Sequence, residues 1–303
     1  MLIGKKIIDN TLIDELIDKI KQKKELKEIS EEFVKDQLYS YLKSNPKQVS
    51  YLDNKNSKYY KIIVKEIREK LRRVYGLFRV EEEKKKRDSL FENLLKENAN
   101  KNINNNNNNK DDGDNDNKDI IVKILKTHAS TKERLPYYEK LYDKIWKITK
   151  KPKSIIDLGC GINPFSFVFM NLKNVKLFVY DISNDEIDIL NKYFGFLHEK
   201  NNHFVGKAFT LDALNWRKIP KADVCFLFKM TDVLDRGKGH KSSELVISNI
   251  PTKFVVVSFP TLTMSGKKMN YPRRKWIELM CDRLEYKYKV IEYANEIFYV
   301  IEK

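Results

Sequence analysis

The chain has 303 residues, 41% of them hydrophobic, which is enough for two domains with real cores and too apolar for a chain disordered throughout. Its 59 Lys and Arg against 43 Asp and Glu leave a formal net charge of +16, favouring a polyanionic partner, nucleic acid first and an anionic membrane surface second. Cys160, Cys225 and Cys281 are widely spaced without a Cys-x-x-Cys pair, and no apolar run approaches a bilayer span or a signal-peptide core, so a cytoplasmic protein without a metal, disulfide or membrane segment is expected.

Residues 1–95 read as a helical domain. Ile13, Leu16, Ile17 and Ile20 recur at three and four, and Ile29, Phe33, Leu38, Tyr41 and Leu42 do so more loosely before Asn45 and Pro46 end the run. A third helix is predicted from about Tyr59 to Phe78, with Ile63, Ile67, Leu71, Val74 and Phe78 on one stripe. Lys61, Lys65, Arg68 and Arg72 share another stripe, a candidate RNA-binding face whose plain alternative is a solvated helix surface. Residues 96–118, Asn- and Asp-rich, have nothing to bury and read as a disordered insertion.

Residues 119–303 form the second predicted domain. Helices over 120–125 and 137–146 flank a polar loop at 126–136, and from Ser154 onward strands alternate with helices. Strands are expected at 155–158, 176–180, 203–210, 224–229 and 254–259, with helices at 165–172, 185–194, 243–249 and 273–284 and a terminal hairpin of 287–293 with 296–302. Five parallel strands and such a hairpin describe an α/β fold, the Rossmann-like seven-stranded sheet of class I methyltransferases.

The first of these strands runs into Gly159 and Gly161, a turn that needs positive φ or close backbone approach. Asn163 suits an N-cap and Pro164 a first helical position. Without a third glycine the turn is not the dinucleotide fingerprint, and Asp157 would repel a phosphate but attract an ammonium. About twenty residues on, Asp181, followed by Ile182, ends the next strand, where a carboxylate can accept the hydroxyls of a ribose. Asp212 ends the third, placed for an adenine amine, with Ala213 offering a backbone N–H to the ring; its plain alternative is a helix cap. S-adenosylmethionine, an amino acid at one end and a nucleoside at the other, fits this set.

The fourth strand ends at residues 226–231 without the Asn-Pro-Pro-Tyr that clamps an exocyclic amine, which favours an aromatic ring nitrogen as methyl acceptor. Such a nitrogen attacks with a lone pair and loses no proton, so no general base and no catalytic acid–base pair is expected. His198, His203 and His240 lack metal-ligand partners at useful spacing. Beyond the fifth strand, Lys267, Lys268, Arg273 and Arg274 crowd one edge of the sheet with Tyr271 and Trp276, candidate phosphate contacts and base-stacking rings. A solvated helix start with Trp276 in the core is the alternative.

These residues together resemble the aminoglycoside-resistance 16S rRNA (guanine-N7) methyltransferases. The resemblance rests on VKEIREKLRRVYGLF at 64–78, HASTKERL at 128–135 with Tyr138 to Tyr142, DLGCGINP at 157–164, and VVSFPT at 256–261 with Gly266 and Lys267. It implies a helical N-terminal domain that docks on the small ribosomal subunit, and a monomer bound to 16S rRNA. It also implies cofactor contacts from His128, Ala129, Ser130, Thr131, Lys132, Glu133 and Arg134, from Gly159, Asp181, Asp212 and Ala213, and from Lys229 near the methionine end. Members usually carry a glutamine near Lys238 and a Gly-Gly-Arg-rich loop where this chain has residues 264–268. A methyltransferase of another RNA or of a protein, or a non-catalytic RNA-binding assembly factor with this fold, remain the alternatives.

Overall fold

Apolar stripes at helical spacing build the helices, and the folded chain divides into two units. The computed structural model describes residues 2–3, 6–75, 81–104, 111–235, 239–263 and 266–303. One unit comprises Met1–Arg79 with Ile182–Asp185, the other Val80–Asp181 with Glu186–Lys303.

In the first unit, α1 (Asn10–Lys21), α2 (Glu31–Ser44) and α3 (Lys58–Tyr75) bury the predicted stripes, Ile13, Leu16, Ile17 and Ile20 from α1 against Ile63, Ile67 and Leu71 from α3. Ser30 caps α2, its Oγ accepting from Phe33 N–H at 3.1 Å. The expected continuation of α3 to Phe78 falls on residues 76–78, outside the described residues. Ile182 packs on this helical core, and its carbonyl accepts from Ser30 N–H at 2.9 Å.

The second unit begins with α4 (Glu81–Asn104) and α5 (Asp111–Leu125). Two expectations are corrected here. The boundary between the units falls after Arg79 rather than after residue 95, because Phe91 and Leu94 of α4 are buried in the core beside the sheet, Phe91 edge-on to Phe165 at 5.8 Å. The tract 96–118 is helical over 96–104 and 111–118 rather than structureless. There Asn98 donates through Nδ2 to Asn117 Oδ1 at 2.7 Å and to Leu94 O at 2.7 Å, so amides with nothing to bury satisfy each other instead. Residues 105–110 of the tract lie outside the described residues.

The chain continues through α6 (Ala129–Arg134) and α7 (Tyr138–Thr149) into β1 (Ser154–Leu158), β2 (Lys176–Asp181), α8 (Asn184–Lys200), β3 (Val205–Thr210) and β4 (Ala222–Phe228). Then follow α9 (Thr231–Asp235), α10 (Lys241–Asn249), β5 (Thr252–Pro260), α11 (Lys275–Arg283), β6 (Lys287–Glu292) and β7 (Glu296–Glu302). The sheet order is β3-β2-β1-β4-β5-β7-β6, parallel from β3 to β5 and antiparallel at β7 and β6. β1 lies near the middle, buried on both faces, as its near-continuous apolar run requires. α7 explains one of those faces: Tyr138, Leu141, Tyr142, Ile145 and Trp146 recur at three and four and are all buried. Helices α10 and α11 contribute Val246, Ile247, Ile277 and Met280 to the core on the other. Among the described residues no helix is long and apolar enough to cross a membrane, and no cluster of three or more His, Cys, Asp or Glu side chains could hold a metal ion.

Candidate active site

Both glycines of the β1 turn are in the left-handed region, Gly159 at φ +62 and Gly161 at φ +48. The turn is stitched to the end of β2: Gly159 N–H donates to Tyr180 O at 2.8 Å, and Gly161 N–H donates to Asp181 Oδ2 at 2.9 Å. The two glycines are needed for different reasons. A Cβ on Gly159 would lie 2.0 Å from the sulfur of Met230, whose side chain crosses the turn from the end of β4, whereas a Cβ on Gly161 would meet only His128 Nε2 at 4.0 Å. Space therefore remains above Gly161 and is filled above Gly159.

Behind the turn runs a buried ionic network. Asp157 is 2% exposed and accepts from Asn163 Nδ2 at 2.7 Å; Asn163 Oδ1 accepts from Tyr138 Oη at 2.9 Å and from Arg134 at 3.4 Å. Arg134 makes a bidentate pair with Glu296, Nε to Oε2 at 2.9 Å and Nη2 to Oε1 at 2.8 Å, both side chains almost wholly buried. Ser258 Oγ donates to the same Glu296 at 2.5 Å. Lys229 Nζ lies 3.8 Å from Glu296 and 2.5 Å from Glu133. Lys229 holds φ +56, a conformation that costs a lysine roughly 1–2 kcal/mol, and its N–H is anchored on Ser258 Oγ at 3.0 Å.

Burial shapes the protonation of this network. It pushes the Asp157 carboxyl up to about 7, with Asp181 nearby adding to the rise, although the Asn163 hydrogen bond and the Arg134 charge work the other way. The same burial, the largest single influence, pulls Arg134 down, but the Glu296 carboxylate together with Tyr138 and Tyr137 outweighs it and holds the guanidinium above its ordinary value.

The structure brings Gly159, Gly161, Asp181, Asp212 and Ala213 to the carboxyl ends of β1, β2 and β3. Asp181 meets the glycine turn there. Asp212 caps the short 3-10 segment Ala213–Lys218, accepting from Leu214 N–H at 3.0 Å, so the plain capping role is present. His128 stands over Gly161. Residues 126–136, expected as an open loop, contain α6, because the Thr131 hydroxyl donates to Leu125 O at 2.5 Å and to His128 O at 3.0 Å and winds the segment up. Ser130, Lys132 and Glu133 lie on this short helix with Ala129, Thr131 and Arg134. Three roles differ from expectation. Asn163 sits within the 3-10 segment rather than capping it and bridges Asp157 to Arg134 and Tyr138. Asp157 is buried beneath the turn instead of opening onto it. Ile182, the residue after Asp181, packs on the helical core of the first unit. Glu296, Ser258, Tyr138 and Met230 were not legible as site residues.

The predicted cations fare unevenly. In the first unit, Lys61, Lys65, Arg68 and Arg72 do line one cleft of about 780 Å³, joined there by Lys19, Lys23 and Lys55. Arg68, however, donates to the carbonyls of Lys19 and Ile20 at the end of α1, and Arg72 donates through Nε and Nη2 to the one oxygen Glu25 Oε1 at 2.9 and 2.7 Å. These two arginines fasten α3 to its neighbours. Arg274 likewise donates to Pro260 O at 3.0 Å and to Tyr271 O at 3.0 Å, which makes it a brace for its own loop, and Arg273 pairs with Glu278 at 2.7 Å. Lys267 and Lys268 are exposed, and Tyr271 is 84% exposed. Lys238 and residues 264–265, where the chain departs from the family it resembles, lie outside the described residues.

The model of the family described as ribosomal RNA methyltransferase (FmrO) matches residues 59–300. The chain is 25% identical over 248 residues to a Proteus mirabilis protein named 16S rRNA (guanine(1405)-N(7))-methyltransferase, covering 80% of this chain and 85% of that one. A Micromonospora rosea protein of the same name is 29% identical over 198 residues, 60% of this chain and just under two thirds, 65%, of the other. The solved structure of the 16S rRNA methyltransferase RmtF in complex with S-adenosyl-L-homocysteine is similar at a TM-score of 0.70 and 20% identity, over 98% of this chain and 100% of that one. At that identity the likeness speaks for the fold.

Proposed function

Because this chain belongs to the ribosomal RNA methyltransferase (FmrO) family, we propose that it transfers a methyl group from S-adenosylmethionine to a guanine N7 of 16S rRNA in the decoding region of the small ribosomal subunit. The observation that carries the reading is the left-handed Gly159 and Gly161 turn tied to Asp181, an open cradle at Gly161 flanked by a carboxylate. That set fits the cofactor, since the open side of the turn takes backbone-close atoms while acids and cations stand at its two ends.

Asp181 and Asp212 would hold the nucleoside half through its ribose and adenine, with Ala213 beside the ring; Lys229 is the cation for the carboxylate of the methionine half, with Arg134 paired to Glu296 behind it. Bound there, S-adenosylmethionine supplies a methyl group activated by a sulfonium. A guanine N7 needs no deprotonation, so the residues around it have one task, to hold the ring in line. Alignment of that kind can contribute about 7–11 kcal/mol. The lysine-lined cleft of the helical unit supports docking on the rRNA backbone, where each neutralised phosphate releases counterions.

The test is incubation of purified small subunits with methyl-labelled cofactor, followed by mapping of the modified nucleotide. Label at a guanine of the decoding region is expected. No incorporation into 16S rRNA, or label on free tRNA or protein instead, would overturn the assignment.

A further inference from the structure

The sheet order decides from which side an acceptor base approaches. The residues placed for the nucleoside half of the cofactor lie at the ends of β1, β2 and β3, so β4 and β5 border the carboxyl edge on the other side of the glycine turn. Met230, just past β4, rests against Gly159. From it the five residues of α9 lead to Asp235, a rise of about 7 Å at 1.5 Å per residue.

At that end stands an assembly with no part in the network described above. Asp235 is buried and accepts from Ser243 N–H at 2.9 Å and Ser243 Oγ at 2.8 Å, while its Oδ2 faces His240 Nδ1 at 3.3 Å. The imidazole lies flat on Trp276, ring centroids 4.3 Å apart and planes 9° from parallel. Trp276 is braced edge-on by Phe259 of β5 at 6.0 Å. The ring expected to meet a base, Trp276, is therefore already covered, and His240 is the outer layer.

Half of the His240 side chain is exposed, which sets it apart from a core histidine, and it stands at the start of α10 without making a side-chain cap, which removes the commonest local reason for its position. What remains is a flat ring fixed on one face and one edge, with its other side toward solvent. Such a ring is a surface for stacking another.

We propose that His240, backed by Trp276 and steered by Asp235, is the platform on which the acceptor purine stacks beside the methyl being transferred; it is a positioning residue, and the inference rests on the methyltransferase reading. Methylation at N7 leaves the purine with a positive charge. An imidazole whose Nδ1 hydrogen is given to a carboxylate is electron-rich, so it stacks better on the cationic purine that forms than on the neutral one that arrives, and only such a difference speeds the step.

The experiment is single-turnover methyl transfer to purified small subunits by wild-type protein and by His240→Ala, His240→Gln and His240→Phe, with cofactor affinity from calorimetry and subunit affinity from filter binding. Alanine and glutamine are expected to slow transfer at saturation by roughly 5- to 150-fold, the range for losing one stacked base, and to leave both affinities within about twofold. Phenylalanine should recover most of the rate. A rate unchanged in the alanine variant, a phenylalanine variant as slow as alanine, or a loss explained by weaker cofactor or subunit binding would each overturn the platform. Absence of transfer by the wild-type protein would instead remove the methyltransferase reading and the platform with it.

Discussion

Asp157→Asn tests the buried network through its dependence on pH. The Asp157 carboxyl titrates at an ordinary 3.8 when exposed and is pushed up to about 7 by burial in the folded protein. The unfolded chain therefore releases this proton first, and the folded state loses stability as pH climbs from about 4 to about 7, after which the curve flattens. At 1.36 kcal/mol per pH unit, the loss attributable to this one group is about 2 kcal/mol at pH 5 and about 4 kcal/mol at pH 8. Asparagine has no proton to lose. It can still accept from Asn163 Nδ2, and any cost of leaving its own amide unpaired, about 1–3 kcal/mol, is the same at every pH. The stability of the variant relative to wild type should thus improve by about 2 to 3 kcal/mol between pH 5 and pH 8, whatever its starting offset. Urea denaturation followed by circular dichroism at pH 5, 6, 7 and 8 measures it. Parallel pH profiles for the two proteins would show that the carboxyl is ionised in the fold, and the argument from burial would fail.

Three further outcomes are expected. Asp181→Ala removes the acceptor of Gly161 N–H together with the ribose contact, and should weaken cofactor binding by at least about tenfold in calorimetry while subunit binding persists. Glu296→Gln leaves Arg134 buried without a counter-charge and should cost about 3–5 kcal/mol in urea denaturation; a change under 1 kcal/mol would mean that Asn163 alone satisfies the guanidinium. Lys19, Lys23, Lys61 and Lys65 changed together to Glu should weaken subunit binding and flatten its salt dependence with cofactor affinity unaltered. Arg68 and Arg72 are spared in that variant because they hold α3 to α1 and to Glu25, so their loss would confound folding with docking.

The sheet was legible because its strands are short runs of Val, Ile and Phe bounded by Gly, Pro and Asp, and each expected strand is present within two residues of its predicted ends. The glycine turn and the acids at 181 and 212 were legible for the same reason, being punctuation at strand ends. What was not legible depends on distant partners. Nothing local forecasts α6, six residues with no side-chain cap, because its hydrogen bonds come from Thr131 to Leu125 and its anchor from Arg134 to Glu296, 162 positions away. Glu296 left one trace, an acid opening the apolar run at 297–301, and an acid in a fully buried position asks for a cation. The Asn-rich tract misled because composition speaks for a lack of apolar burial, whereas Asn98 and Asn117 supply each other with partners across the two helices.

The charges of the network divide into those that can exchange partners and those that cannot. Arg134 is 2% exposed and Glu296 is 0%, so that pair cannot open to a ligand without stranding a charge. Lys229 and Glu133 form the pliable pair, with the Glu133 side chain 47% exposed and therefore able to turn to water at little cost. A ligand carboxylate arriving at this end would take the place of Glu133 on Lys229, one anion for another, while Glu296 keeps the lysine oriented from below at 3.8 Å. The left-handed backbone at Lys229 has a reason in this scheme: the N–H anchored on Ser258, itself bonded to Glu296, fixes where the lysine starts. Rigidity is thus concentrated in the buried half of the network and exchange in the exposed half. A site that recognises a zwitterion needs that division, since a net charge fixed at both ends would bind one half of the ligand at the expense of the other.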